Sequence, residues 1–172
     1  MKTLYLLRHA KSSWKEPELA DRERGLNGRG RRDAPRMGQA LARRLAPMPA
    51  WCSPARRAQL TLAGLCEGWP ELAACDHHVE ETLYTFSSGA LLAWLRAQRL
   101  PSEALFLIGH NPALTELVNL LVGDEVLYNL PTAGFAKLAL DVQAWGDLGP
   151  GCATLADTLF PRQLGSVQGD NE

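Results

Sequence analysis

The sequence predicts an α/β fold: a mainly parallel sheet with helices on both faces. Three observations carry this. Residues 3–7 and 104–108 are almost wholly apolar, as strands buried on both faces are. Between and after them, apolar residues recur at helical spacing. Strand and helix signals alternate along the chain, the pattern of βαβ units.

Taken in order, residues 3–7 make the first strand, and residues 10–27 are polar and irregular. A helix opens near Gly30, where Ala34, Met37, Leu41 and Leu45 form an apolar stripe and most arginines fall outside it. Pro47 and Pro49 end it. The stretch "AWCSP" reads as a brief strand and a stop. Ser53 suits an N-cap and Pro54 a first helical position, so a helix is predicted over 54–66. Residues 68–77 read as a loop, and Val79 begins a short extended stretch. A helix over 88–98 turns Leu91, Trp94 and Leu95 inward. After the strand at 104–108, Asn111-Pro112 repeats the cap-plus-proline signal. The helix behind it presents Leu114, Leu117, Val118 and Leu121 to the core. Residues 135–140 and 153–159 read as late strands around "WGDLGPG". Residues 1–162 are expected to form one domain, and 163–172 a disordered tail.

The chain has 172 residues, 46% hydrophobic and 22% charged, as expected of a soluble globular domain with a real core. No apolar run reaches the roughly 18 residues of a membrane span. The start lacks the longer apolar core of a signal peptide, so a cytoplasmic protein is expected. Cys52, Cys66, Cys75 and Cys152 show no CxxC pair, which predicts reduced thiols and no metal site. The net charge of −1 hides an asymmetry: residues 1–57 carry +9 and the rest −10. A basic half suits an anionic partner. The arginine-rich stretch 22–44 lacks interleaved aromatics, which argues against a nucleic-acid partner.

The two apolar strands share an ending. "LYLLRHA" delivers His9, and "LFLIGHN" delivers His110. In open α/β sheets, ligands bind at the C-terminal ends of the strands, so the two histidines are expected to face one pocket. A metal would want a third ligand. His77 and His78 are the remaining histidines, and both are expected in an exposed loop. Phosphoryl chemistry fits better, because it wants a nucleophile within a set of cations and N–H donors. Arg8 precedes His9. "SPARRAQLT" puts Arg57 in the first turn of a helix, where amides also favour anions. One guanidinium can hold two phosphate oxygens. Arg8, His9, Arg57 and His110 thus make a phosphate pocket without a metal.

The stretches "LRHAKSSW", "DRERGLNGRG", "SPARRAQLT", "ETLY" and "IGHNPALTEL", in that order, resemble the histidine phosphatase superfamily. They are most similar to its small SixA-type phosphohistidine phosphatase branch, over about residues 2–160. The broad family carries Arg-His-Gly where this chain has Arg8-His9-Ala10. The resemblance implies a three-layer α/β/α sandwich around a mixed sheet. It implies His9 as nucleophile, Arg8 and Arg57 as phosphate clamps, and His110 as a further contact to the phosphoryl group. Asp21 matches an acidic position near the pocket, and Arg24 the arginine of the same motif. Gly109 and Asn111 shape the turn at His110. It implies no cofactor, and a phosphohistidine-bearing protein as substrate. Larger members of the superfamily carry a clear acid for an alcohol leaving group. Here Glu81 is the first candidate, with Glu80 and Asp21 behind it. The rival readings are a phosphatase or mutase for small phosphate esters and a non-catalytic phosphate-binding module. Nothing in the sequence requires more than a monomer.

Overall fold

A computed structural model describes residues 1–165 of the chain. Its centre is a six-stranded mixed sheet in the order β3-β2-β4-β1-β5-β6. The strands are β1 (Lys2–Arg8), β2 (Trp51–Cys52), β3 (His78–Val79), β4 (Ala104–Gly109), β5 (Phe135–Leu140) and β6 (Ala153–Leu159). The first four in space are mutually parallel. β5 runs antiparallel to β1, and β6 antiparallel to β5.

Among the described residues five helices cover the sheet: α1 (Gly28–Ala42), α2 (Arg56–Gly68), α3 (Pro70–Ala73), α4 (Ser88–Arg96) and α5 (Ala113–Val122). Alternation along each strand splits the core in two. Leu4, Leu6, Leu105 and Leu107 pack with α4 and α5 residues such as Leu91, Leu114 and Leu117. Leu7, Phe106 and Ile108 pack with Met37 and Leu41 of α1 and Leu65 of α2. This is the expected three-layer α/β/α sandwich.

Local chemistry explains the helix starts. Asn27 caps α1, its side chain accepting from the Gly30 amide at 2.9 Å. Ser87 caps α4 through the Ala90 amide at 3.3 Å. α1 and α2 lie close because Gly38 and Gly64 sit at the contact. A methyl at Gly38 would collide with the Leu65 carbonyl, and one at Gly64 with the Ala34 side chain.

Four expectations are corrected in detail. α2 begins at Arg56, two residues after Pro54, with Ala55 in the capping position and no side-chain cap. Ser53 instead turns toward His110. The stretch read as the loop 68–77 holds the one-turn α3, whose Leu72 and preceding Trp69 are buried. His77 is not a free loop residue: it accepts from the Ala50 amide at 2.9 Å and pairs with the Leu72 carbonyl at 2.8 Å. Gln163, assigned to the tail, belongs to a 3-10 turn over Pro161–Gln163. The tail beyond 165 lies outside the described residues.

Candidate active site

Three adjacent parallel strands end side by side. β2 is followed by Ser53, β4 by His110 and β1 by His9. The pairing is in register, with Arg8 opposite Gly109 and Cys52 opposite Ile108. The His9 amide donates to the Gly109 carbonyl at 3.1 Å, and the Ser53 amide to the Ile108 carbonyl at 3.0 Å. The two imidazole centroids are therefore 5.2 Å apart, tilted by 52°.

His9 is buried, and its Nδ1 lies 2.7 Å from the Ala10 carbonyl. A carbonyl only accepts, so Nδ1 carries the proton and Nε2 keeps its lone pair. Burial, opposed by that hydrogen bond and helped by His110, Arg57 and Arg8, lowers the His9 pKa to about 3. The ring is neutral at pH 7 with a free nucleophilic nitrogen. Thr61 fixes this turn: its Oγ1 accepts from the Ala10 amide at 2.9 Å and donates to the Arg57 carbonyl at 2.7 Å.

His110 is held the other way round. Its Nε2 lies 2.7 Å from Ser53 Oγ, and its Nδ1 lies 3.4 Å from Arg57 Nη2. A guanidinium only donates, so Nδ1 is the acceptor and Nε2–H donates to Ser53. Burial first, then the Arg57 charge, lowers the His110 pKa to about 4.

Two guanidinium groups converge here. Arg57 is 2% exposed, and Arg8 donates to the Leu130 carbonyl at 3.1 Å. The Nε–H of each is buried without an acceptor among the described residues. Burial and the Arg57 charge both push the Arg8 pKa down. Two desolvated cations with spare donors are a site for an anion. At the start of α2 the Ala58 and Gln59 amides donate to the Ala55 carbonyl at 3.0 and 3.1 Å. At the start of α5 two amides are engaged as well. The Leu114 amide donates to the His110 carbonyl at 3.1 Å, and the Thr115 amide to Asn111 Oδ1 at 3.1 Å. Asn111 also ties the turn to the Leu130 carbonyl at 2.8 Å.

Asp21 sits behind Arg57. Its carbonyl and Oδ2 accept from the two ends of the Arg57 fork at 2.7 and 3.0 Å. Tyr84 donates to the same Oδ2 at 2.6 Å, and Arg24 to Oδ1 at 3.1 Å. Burial acts to raise the Asp21 pKa, but these hydrogen bonds prevail and bring it to about 2. Glu81 makes a two-pronged ion pair with Arg22 at 2.7 and 2.9 Å, and that hydrogen bonding lowers its pKa. Glu80 accepts from the Thr82 amide at 3.0 Å. Both candidate acids are thus paired with arginines, which makes each carboxyl a weaker proton donor than a free one. The geometry makes Asp21 a positioning residue for Arg57.

Sequence reading missed Ser53, Thr61 and Tyr84. Ser53 and Thr61 were visible only as a cap and a helix residue, because strand order decides whom they meet. Tyr84 stands in the "ETLY" stretch, but its partner is 63 residues away. Tyr84 and Phe86 also flank the His110 ring, at 5.4 and 5.7 Å. A groove of about 590 Å³ lies on the outer side of α2 between Lys15, Leu26, Arg56 and Leu60. It is lined by neither histidine and by neither clamping arginine.

Comparison with known proteins agrees with this geometry. The family model of the histidine phosphatase superfamily (branch 1) matches residues 4–117. No curated protein sequence matches the chain. Among solved structures, a protein assigned as the phosphohistidine phosphatase SixA of Agrobacterium tumefaciens is 28% identical. It superposes with a TM-score of 0.77, over 93% of this chain and 98% of that one. Its counterpart from Nakamurella multipartitia is 25% identical with a TM-score of 0.76, over 93% and 96%. A protein histidine phosphatase SixA complexed with tungstate shares the fold at 20% identity and a TM-score of 0.74, over 95% and 99%. With its matched model spanning the pocket from strand β1 to helix α5, the chain belongs to branch 1 of the histidine phosphatase superfamily and is a phosphatase.

Proposed function

We propose that the protein is a metal-independent phosphohistidine phosphatase acting on a phosphorylated histidine of a protein partner. The free Nε2 of His9 attacks phosphorus in line with the P–N bond. That bond breaks, and the substrate imidazole departs with the bonding pair. It leaves as neutral imidazole when its far ring nitrogen already carries a proton. The phosphoryl group now sits on His9 Nε2. Water then attacks phosphorus, inorganic phosphate forms, and His9 returns neutral. Arg8 and Arg57 offset the charge on the phosphoryl oxygens in both steps. His110 contributes through Nδ1, which takes up a proton and donates once an anion stands beside it.

The observation that carries the choice of substrate is the pairing of the two carboxylates with arginines. Ester cleavage expels an alkoxide and gains from a protonated acid. The Asp21 carboxyl is brought down to about 2 and that of Glu81 is lowered by its Arg22 pair, so neither is set up to give a proton to an alkoxide. A phosphoramidate asks for no such acid. The A. tumefaciens and N. multipartitia likenesses support the same reading. The reading includes a cytoplasmic setting, supported by four unpaired cysteines, and a protein that works as a monomer. No helix among the described residues is long and apolar enough to cross a membrane.

The test compares hydrolysis of a histidine-phosphorylated protein and of para-nitrophenyl phosphate, both with a chelator present. Efficient release of phosphate from the protein and slow ester turnover are expected. Fast ester turnover with an inert phosphohistidine protein would replace this reading with a small-molecule phosphomonoesterase.

A further inference from the structure

Three loops meet at the edge where His9 and His110 stand. Residues 10–27 leave β1 and residues 80–87 leave β3. Residues 123–134 lead into β5, which runs antiparallel to β1 and so starts at the same edge. The last loop closes directly on the nucleophile's backbone: the Ala133 amide donates to the His9 carbonyl at 3.1 Å.

Each loop carries an exposed aromatic residue. Trp14 is 68% exposed, Phe86 51% and Tyr128 fully, with Val126 near it at 43%. The loops that hold them are anchored to the site. Trp14 lies 3.7 Å from the Arg24 guanidinium, and Phe86 packs on His110. Asn129, next to Tyr128, accepts from Asn111 at 3.2 Å. Holding a phosphoryl group explains none of this exposure. Tyr128 and Val126 make no side-chain hydrogen bond or ring contact with Arg8, His9, Arg57 or His110.

Exposed aromatics clustered about a functional pocket mark a surface that meets another molecule. Tyrosine, tryptophan and phenylalanine are enriched in the cores of protein interfaces. The pocket itself says what comes. A phosphoryl group seated at Arg8 and His9 brings its carrier against these loops. A small ester has no surface to lay across three loops, whereas a protein has. We infer that Trp14, Phe86, Val126 and Tyr128 form a docking rim for the apolar protein surface around a phosphohistidine. The inference rests on the phosphohistidine reading above.

The test uses the double variant V126S/Y128S, which leaves the phosphate-holding groups intact. Three probes are compared: a phosphotransfer domain phosphorylated on histidine by phosphoramidate, free phosphohistidine and para-nitrophenyl phosphate. Relative to wild type, kcat/KM on the domain should fall about tenfold through KM, the scale of truncating an interface tyrosine. The two small probes should be unaffected. Equal kcat/KM of variant and wild type on the domain would overturn the rim and leave the phosphohistidine reading intact. A wild type that hydrolyses the ester but neither phosphohistidine probe would overturn both.

Discussion

The turns at His9 and His110 look alike in sequence and differ in the structure. Each ends a buried parallel strand, and burial makes each ring hard to protonate. The difference lies in which nitrogen is occupied. His9 spends Nδ1 on the adjacent Ala10 carbonyl and presents Nε2. His110 spends Nε2 on Ser53 and presents Nδ1 to Arg57. In the proposed mechanism one ring offers a lone pair to phosphorus, while the other faces a cation. Equivalent strand ends therefore acquire different chemistry from one hydrogen bond each.

Substitutions at the rings and their holders should expose that asymmetry. His9→Ala should lower kcat/KM by about a thousandfold or more, since a nucleophile has no substitute. His110→Ala should lower it by about a hundredfold, the scale of losing one oxyanion contact, and still allow a phosphorylated enzyme to form. Equal losses at the two positions would remove the distinction. Arg57→Ala, which removes the cation beside the His110 ring, should also cost about a hundredfold.

A smaller effect separates the supports. Ser53→Ala strands the buried Nε2–H of His110, while Thr61→Val frees the Ala10 turn behind His9. Each should slow turnover about tenfold, from roughly 1.4 kcal/mol of lost orientation. Only the Ser53 variant should alter the His110 imidazole signals in an NMR titration.

Acid stability gives a further comparison. The folded pKa values of about 3 and about 4 lie below the usual 6.5. The unfolded chain therefore binds protons that the folded one refuses. Stability is complete above pH 6.5 and falls as the pH drops toward 4. The slope approaches about 1.4 kcal/mol per pH unit for each histidine. Calorimetric melting of wild type, His9→Ala and His110→Ala should show each substitution flattening that fall. Far from the pocket, Gly38→Ala should cost about 1–3 kcal/mol by overpacking against α2 and leave KM unchanged.

Most of the fold was legible because its signals are local. The apolar runs, the α1 stripe and the proline stops follow from side-chain spacing and backbone sterics. The α3 turn was missed because one helical turn is too short to show a period. That Arg8, His9, Arg57 and His110 come together was legible from strand ends and motif order. Ser53 was misread because its capping chemistry is local, whereas its hydrogen bond to His110 crosses from β2 to β4. Asp21 and Glu81 were recognisable as carboxylates near the pocket. Their partners were not, because Arg57, Tyr84 and Arg22 arrive from elsewhere in the chain.

The most direct measurement is to trap the phosphorylated enzyme. Wild type would be mixed with a histidine-phosphorylated protein, quenched in base within milliseconds, and mapped by mass spectrometry. A phosphoryl group on His9 that is acid-labile and base-stable, forming and decaying fast enough to account for turnover, is the predicted result. Turnover without such a species, or turnover that survives in His9→Ala, would contradict the account.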